Sequence, residues 1–197
     1  LSAAQWTLAL SLIAFIGGAV LGLAVALART GGLRWLERVA MVFTQIFQGT
    51  PLLLQLFLIF FGAPVVGMDI NPWIAAGIAL ILNSGAFLGE IWRGCIQAIP
   101  RGQWEAAEAL SLSYTSRMRD VVLPQAMKIA VAPTVGYMVQ IIKGTSLAAI
   151  IGFTEITRAG QIINNATFQP MLVFAVVAAL YFVICWPLSL LASRIER

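Results

Sequence analysis

The chain has no histidine in 197 residues, only two cysteines and only 10% charged residues. Each shortage excludes a class of chemistry. Without imidazole there is no histidine general base, no histidine metal ligand and no histidine-dependent triad. Cys95 and Cys185 lie far apart, near or within apolar runs. That placement fits buried thiols acting as small hydrophobes, not a disulfide or a metal site. Soluble domains carry roughly 25% charged residues, and this chain is 60% hydrophobic, so it reads as a membrane protein. Its net charge of +4 does not point to nucleic acid, because the basic residues stand beside apolar runs without interleaved aromatics. No repeat, low-complexity tract or linker divides residues 1–197. One integral helical domain is expected.

A hydrocarbon core about 30 Å thick needs roughly 20 mostly apolar residues per helix. Five runs qualify, over residues 6–28, 46–66, 72–92, 129–153 and 171–192. The first exceeds a signal-peptide core in length and no basic residue precedes it, so it is expected to be a retained span. The second is interrupted at its start by Gln45, Gln48, Thr50 and Pro51. A proline is tolerated in a first helical turn, so Pro51 is a candidate for the true beginning of that span. Arg29, Arg34 and Arg38 follow the first run. Arg93, Arg101, Arg117, Arg119 and Lys128 separate the third from the fourth, and Arg194 and Arg197 follow the fifth. The other two loops are nearly free of basic residues, Arg158 excepted. The positive-inside rule then places the amino terminus outside and the carboxyl terminus in the cytoplasm. Trp6, Trp73 and Trp92 fall at span ends, where indoles favour the interface. The expected fold is all-α and integral to the membrane, with five transmembrane helices.

Between the third and fourth runs lies a polar island of about thirty residues, which must face water. Gly102 to Leu110 reads as one short helix, too short to be stable alone. Ala106, Ala107 and Ala109 favour helix and give it a small-residue face. Glu105 and Glu108 are expected near its amino end, where the dipole favours negative charge. A second segment, Ser113 to Val122, leads to Pro124, which is expected to break the helix before the fourth span.

These residues resemble a known family. Glu105-Ala106-Ala107, three residues, Ser111, nine residues, Val121, one residue and Leu123-Pro124 resemble the EAA loop of importer permeases in the ATP-binding cassette superfamily. Gln48-Gly49-Thr50-Pro51-Leu52-Leu53 with Gln55-Leu56, Asn83-Ser84-Gly85-Ala86-Phe87, Glu90-Ile91-Trp92-Arg93-Gly94, Pro124-Gln125-Ala126 and Lys143-Gly144-Thr145-Ser146-Leu147 are similar to its polar amino acid subfamily. Two positions depart from the pattern in ways that bear on structure. Serine stands at 111 where the family has glycine, and Gln48 where relatives commonly have arginine. Valine also replaces isoleucine at 121. The resemblance implies a permease subunit of an ATP-driven polar amino acid importer in the bacterial cytoplasmic (inner) membrane. It implies a cytoplasmic coupling helix docking on separate ATPase subunits, with Glu105, Ala106, Ala107, Glu108 and Leu110 at the contact, Arg101 and Gln103 flanking it and Ser111 at its turn. It also implies a second permease copy, identical or homologous, an extracytoplasmic amino-acid-binding protein, and ATP and magnesium held by the ATPase and not by this chain.

Ionisable and polar groups inside spans are functional candidates by default. Lys143 lies about fourteen residues, roughly 21 Å, into the fourth run. It reads either as a pocket or gate residue for a charged solute, or as one half of an ion pair, or as a lysine snorkelling outward. Gly144, Thr145 and Ser146 form a weak-helix run able to unwind and expose backbone to a cavity. Lys143-Gly144-Thr145-Ser146 lacks the upstream glycines of a phosphate-binding loop. Asn83, Ser84 and Gly85 serve either close helix packing or, by the resemblance, a solute path that would also include Gln48 and Thr50. Glu90 pairs with Arg93 one turn away. Glu155, at the outer end of the fourth run, is a candidate for reading the charged ends of an amino acid. Two other functions compete. A passive channel or pore for small polar solutes would need no ordered cytoplasmic island. An intramembrane serine protease built on Ser84 lacks a base.

Overall fold

The computed structural model describes residues 2–195, so Arg197, used above for orientation, lies outside the described residues. Among them every regular element is helical: α1 (Ser2–Thr30), α2 (Arg34–Gly49), α3 (Leu52–Gly62), α4 (Pro72–Gln97), α5 (Arg101–Ala109), α6 (Tyr114–Arg117), α7 (Leu123–Gly144), α8 (Ile156–Thr167) and α9 (Pro170–Ile195). Four helical stretches are long and apolar enough to cross a bilayer: α1, α4, the continuous stretch Tyr114–Ile151 and α9. A fifth span exists only if α2 and the segment Leu52–Val66 are counted as one bent unit, with 102° between them. Cys95 and Cys185 are both free and buried.

The molecule is organised around α1 and α4. Gly18 and Gly22 of α1 meet Gly85 and Gly89 of α4, each pair spaced by four. A Cβ on Gly22 would stand 2.9 Å from the Leu88 Cβ and 3.0 Å from the Gly89 nitrogen, and one on Gly18 would reach the Ser84 Cβ at 2.5 Å. Small residues four apart let two backbones approach closely where lipid offers no hydrophobic drive to associate. Alanines continue the theme in the core, where Ala14, Ala75, Ala76, Ala79 and Ala148 pack with Leu10, Leu56, Leu80 and Ile141. At one end Trp6 stands edge-on to Trp73 at 5.7 Å, and Trp73 packs on Phe153. Trp92, near the other end, donates its indole N–H to Thr134 Oγ1 at 2.9 Å.

The expected second span, 46–66, is broken within itself. Thr50 is extended (φ −117°, ψ 141°) because proline disfavours a helical residue before it. Pro51 caps α3, which begins at Leu52. The carbonyls freed at the end of α2 are reclaimed by the Gln55 side-chain amide, which donates to Phe47 O (2.8 Å), Thr50 O (3.0 Å) and Thr50 Oγ1 (2.9 Å).

Pro124 does not break the chain as expected. The helix runs through it because Met118–Val122 widens into a π turn, with the Leu123 N–H bonded to the Met118 carbonyl. A wide turn takes up the gap left by a residue with no N–H and relieves its ring against the preceding turn. The 145–151 stretch does not unwind either. Instead it tightens into a 3-10 helix, Thr145–Ile151, ending at Gly152 with φ 89°.

Candidate functional site

Helix α5 has two faces. Ala107, 2% exposed, and the half-buried Trp104 turn inward, where Trp104 packs on a cluster of Cys95, Ile96, Ile99, Met118, Val122 and Ala126. That cluster joins the end of α4, the π turn and the start of α7, so the inner face of α5 is packed against all three. Outward face Arg101, Gln103, Glu105, Ala106, Glu108 and Leu110, all exposed, and Leu110 is 75% exposed despite its size. Gln125 Nε2 donates to Gln103 Oε1 at 3.3 Å.

The first turn of α5 carries no acidic residue, which corrects the expected position of the two glutamates. The helix starts at Arg101, so Glu105 is central and Glu108 is in the last turn. There the dipole disfavours negative charge, and Arg117 Nη1 offsets it at 3.3 Å from Glu108 Oε2. Ser111 ends the helix with φ 56°. Its N–H bonds Glu108 O at 2.8 Å, and the Leu112 N–H bonds Ala107 O at 3.2 Å. That pair of bonds is a Schellman stop. Serine therefore holds the left-handed conformation that a glycine would take freely, at a cost of roughly 1–2 kcal/mol.

A charged cluster joins α1 and α4. Glu90 accepts from Arg93 Nε at 2.9 Å and from Arg29 Nη1 at 3.1 Å, and so pins α1 to α4. The Arg93 pairing agrees with the i, i+3 expectation, whereas Arg29 is sixty-one positions away and invisible to spacing. The Tyr114 hydroxyl donates to the Thr30 carbonyl at 2.6 Å, tying α6 to the end of α1.

The in-membrane candidates fall into separate groups. Gln48, Thr50 and Asn83 gather at the α2–α3 break. Gln48 Nε2 donates to Ala86 O (3.3 Å), and Asn83 Nδ2 donates to Gln55 Oε1 (3.1 Å) and Phe47 O (3.3 Å). Tyr137 on α7 donates to Asn83 Oδ1 at 3.4 Å. Gln55 is the hub of this network, and sequence reasoning passed it over as part of a family match only. Its signal was a lone amide four residues after a helix-breaking proline in an otherwise apolar run. Ser84 lies one residue round from Asn83 and packs against Gly18, in the α1–α4 contact. Thr145 is fully buried and spends its hydroxyl on Ile142 O at 2.7 Å.

Lys143 faces elsewhere. It is exposed, roughly 120° round α7 from Tyr137, and lines a cleft of ≈ 280 Å³ with Ser146, Thr157, Phe174 and Tyr181. No carboxylate lies within ion-pair distance of it among the described residues, so the ion-pair reading does not apply there. Glu155 is 0% exposed. It caps α8, with Oε1 accepting from the Arg158 N–H and Oε2 from the Thr157 N–H, both at 2.8 Å, and Oε2 also accepts from the Tyr181 hydroxyl at 2.6 Å. Among the described residues no group of three or more acidic or cysteine side chains could hold a metal ion.

Comparison with known proteins gives this geometry its context. The family described as binding-protein-dependent transport system inner membrane component matches residues 18–197. The glutamine transport system permease protein GlnP of Escherichia coli (strain K12) is 38% identical over 196 residues, spanning 98% of this chain and 90% of that protein. The L-cystine transport system permease protein TcyB of Bacillus subtilis (strain 168) is 38% identical over 193 residues, with 98% and 82% covered. A crystal structure of an amino acid ABC transporter with histidines superposes with a TM-score of 0.94 at 35% identity, over 100% of this chain and 92% of that one. An inward-facing MetNI methionine ABC transporter shares the fold, with a TM-score of 0.80 at 23% identity over 98% of this chain and 93% of that one.

Proposed function

The chain belongs to the family of binding-protein-dependent transport system inner membrane components, and from that premise we propose that it is the permease subunit of an ATP-driven importer of polar amino acids. The substrate class is the reading carried by relatives such as GlnP and TcyB, whose names give glutamine and L-cystine. Separate ATPase subunits supply ATP and magnesium, a second permease copy completes the path, and an extracytoplasmic binding protein delivers the amino acid. The chain as a whole forms one permease domain of the bacterial inner membrane, with its amino terminus outside and α5 in the cytoplasm.

The observation that carries this reading is the two-faced α5. Its outer face is free to meet a soluble partner, while Trp104 and Ala107 fix its inner face to the ends of α4 and α7. A push on Glu105, Ala106 and Leu110 is then delivered to two spans as one rigid-body tilt, the mechanical basis of alternating access. Gln48, Thr50 and Asn83 at the α2–α3 break are the group we assign first to the solute path. Lys143 and Ser146 follow, since they line a separate cleft, and then the buried Ser84, Thr145 and Glu155, which take part in that path only if the packing described above rearranges during transport.

The test is reconstitution with the ATPase subunits and binding protein, followed by ATP-dependent uptake of glutamine or cystine. Glu105→Lys reverses the charge at the centre of the outer face and is expected to abolish uptake while leaving the protein folded. Full uptake by that variant would sink the coupling assignment. Absence of ATP-driven amino acid uptake by the wild type would sink the substrate class.

A further inference from the structure

On the side of the bundle where α1, α4 and α7 meet, a groove of ≈ 370 Å³ opens to the outside, lined by Val20, Leu23, Trp92, Cys95, Met127 and Ala130 among others. It offers a ligand almost no polar group, because the Trp92 indole N–H is already given to Thr134. A polar solute would gain nothing there, so the occupant must be hydrocarbon. Leu123 closes the groove at its α5 end and also lines a second hollow of ≈ 240 Å³ with Leu27, Gly31, Tyr114, Thr115 and Arg119. The two hollows meet at Leu123, and the second, itself mostly apolar, carries the guanidinium of Arg119 and the hydroxyl of Thr115 on its lining. The Arg119 side chain is 84% exposed and meets only Asp120, through Nε at 3.2 Å, which leaves its two terminal nitrogens unpaired among the described residues. The Thr115 hydroxyl makes no hydrogen bond among them either. A hydrocarbon slot leading to an arginine at the membrane edge fits one kind of molecule, an amphiphile with an anionic head.

We propose that this groove and the second hollow bind an anionic glycerophospholipid, with an acyl chain along Val20, Trp92 and Met127 and its phosphate at Arg119 and Thr115. The site requires only that the chain spans the membrane; it is independent of which solute is carried and of how α5 couples. Its position beside the π turn sets the headgroup against the segment that joins α5 to α7.

Native mass spectrometry of the permease assembled with its ATPase subunits tests the site, by counting retained phosphatidylglycerol and phosphatidylcholine from equimolar mixtures. The wild type is expected to retain phosphatidylglycerol preferentially. Arg119→Gln should lower that preference roughly fivefold, the weight of one arginine near an anionic surface. Val20→Trp fills the groove from a position 70% exposed, so it leaves the core intact and should remove the retained lipid of both kinds. Equal retention of the two lipids by the wild type would overturn the proposal. So would unchanged preference in Arg119→Gln, unchanged retention in Val20→Trp, or a Val20→Trp variant that loses the second permease copy instead of lipid.

Discussion

Ser111 and Glu155 show what single residues contribute and how a sequence can mislead about them. Serine at 111 holds φ 56°, so Ser111→Gly should raise stability by about 1 kcal/mol, with the Schellman bonds and uptake unchanged. Thermal unfolding of the detergent-purified protein with and without the change reads this directly. A fall in stability, or a large loss of substrate-stimulated ATPase activity, would contradict it. Glu155 was singled out by its charge near a span end, yet its carboxylate caps α8 and accepts from Tyr181. Glu155→Ala should cost about 1–2 kcal/mol of stability, with uptake falling only in step with the folded fraction. A weakened apparent affinity at full stability would instead place Glu155 on the solute path. What separates the two residues is the origin of the constraint. The turn at 111 follows from local spacing, whereas the partner of Glu155 sits twenty-six positions away.

At the scale of elements, hydropathy located α1, α4 and α9 within a few residues, since a bilayer demands length and apolarity in one continuous run. The α5 helix was equally legible, from alanines and a fixed spacing. Two features were not. At the Thr50–Pro51 break Pro51 did mark where α3 begins, but the way Gln55 reaches back to the freed carbonyls is a tertiary solution that no periodicity encodes. The amphipathic α8, placed in a polar loop by its composition, owes its helix to the buried Glu155 cap and a seat on α9. The α1–α4 glycines were present as two four-spaced pairs, but only their meeting gives them meaning. Gly22→Val should destabilise the protein by about 1–3 kcal/mol by overpacking against Leu88 and the Gly89 backbone. Gly77→Ala, with nothing within 4 Å of the added carbon, should be close to neutral. Equal midpoints for the two variants in a thermal unfolding series would remove the close-packing account of this helix pair.

For the whole molecule, the distribution of arginines predicts one orientation, amino terminus outside. With Cys95 and Cys185 replaced by alanine, a cysteine at Val65 (85% exposed) should react with a membrane-impermeant maleimide added outside intact cells. One at Leu110 should react only after the membrane is opened. The reverse pattern would invert the bundle and place α5 on the wrong side for an ATPase.

The π turn at Met118–Val122 has a consequence for phase. One helix has to serve two surroundings, keeping Leu123, Ala126 and Ala130 against the bundle in lipid while aiming Arg117 at Glu108 in water. Successive residues of an α-helix advance by about 100°, and the two requirements fall out of step across the junction. A turn holding one residue more than usual restores the agreement, much as a leap day corrects a calendar. The bearing of the outer face of α5 relative to the long helices is thus fixed by a residue count in the turn that joins them.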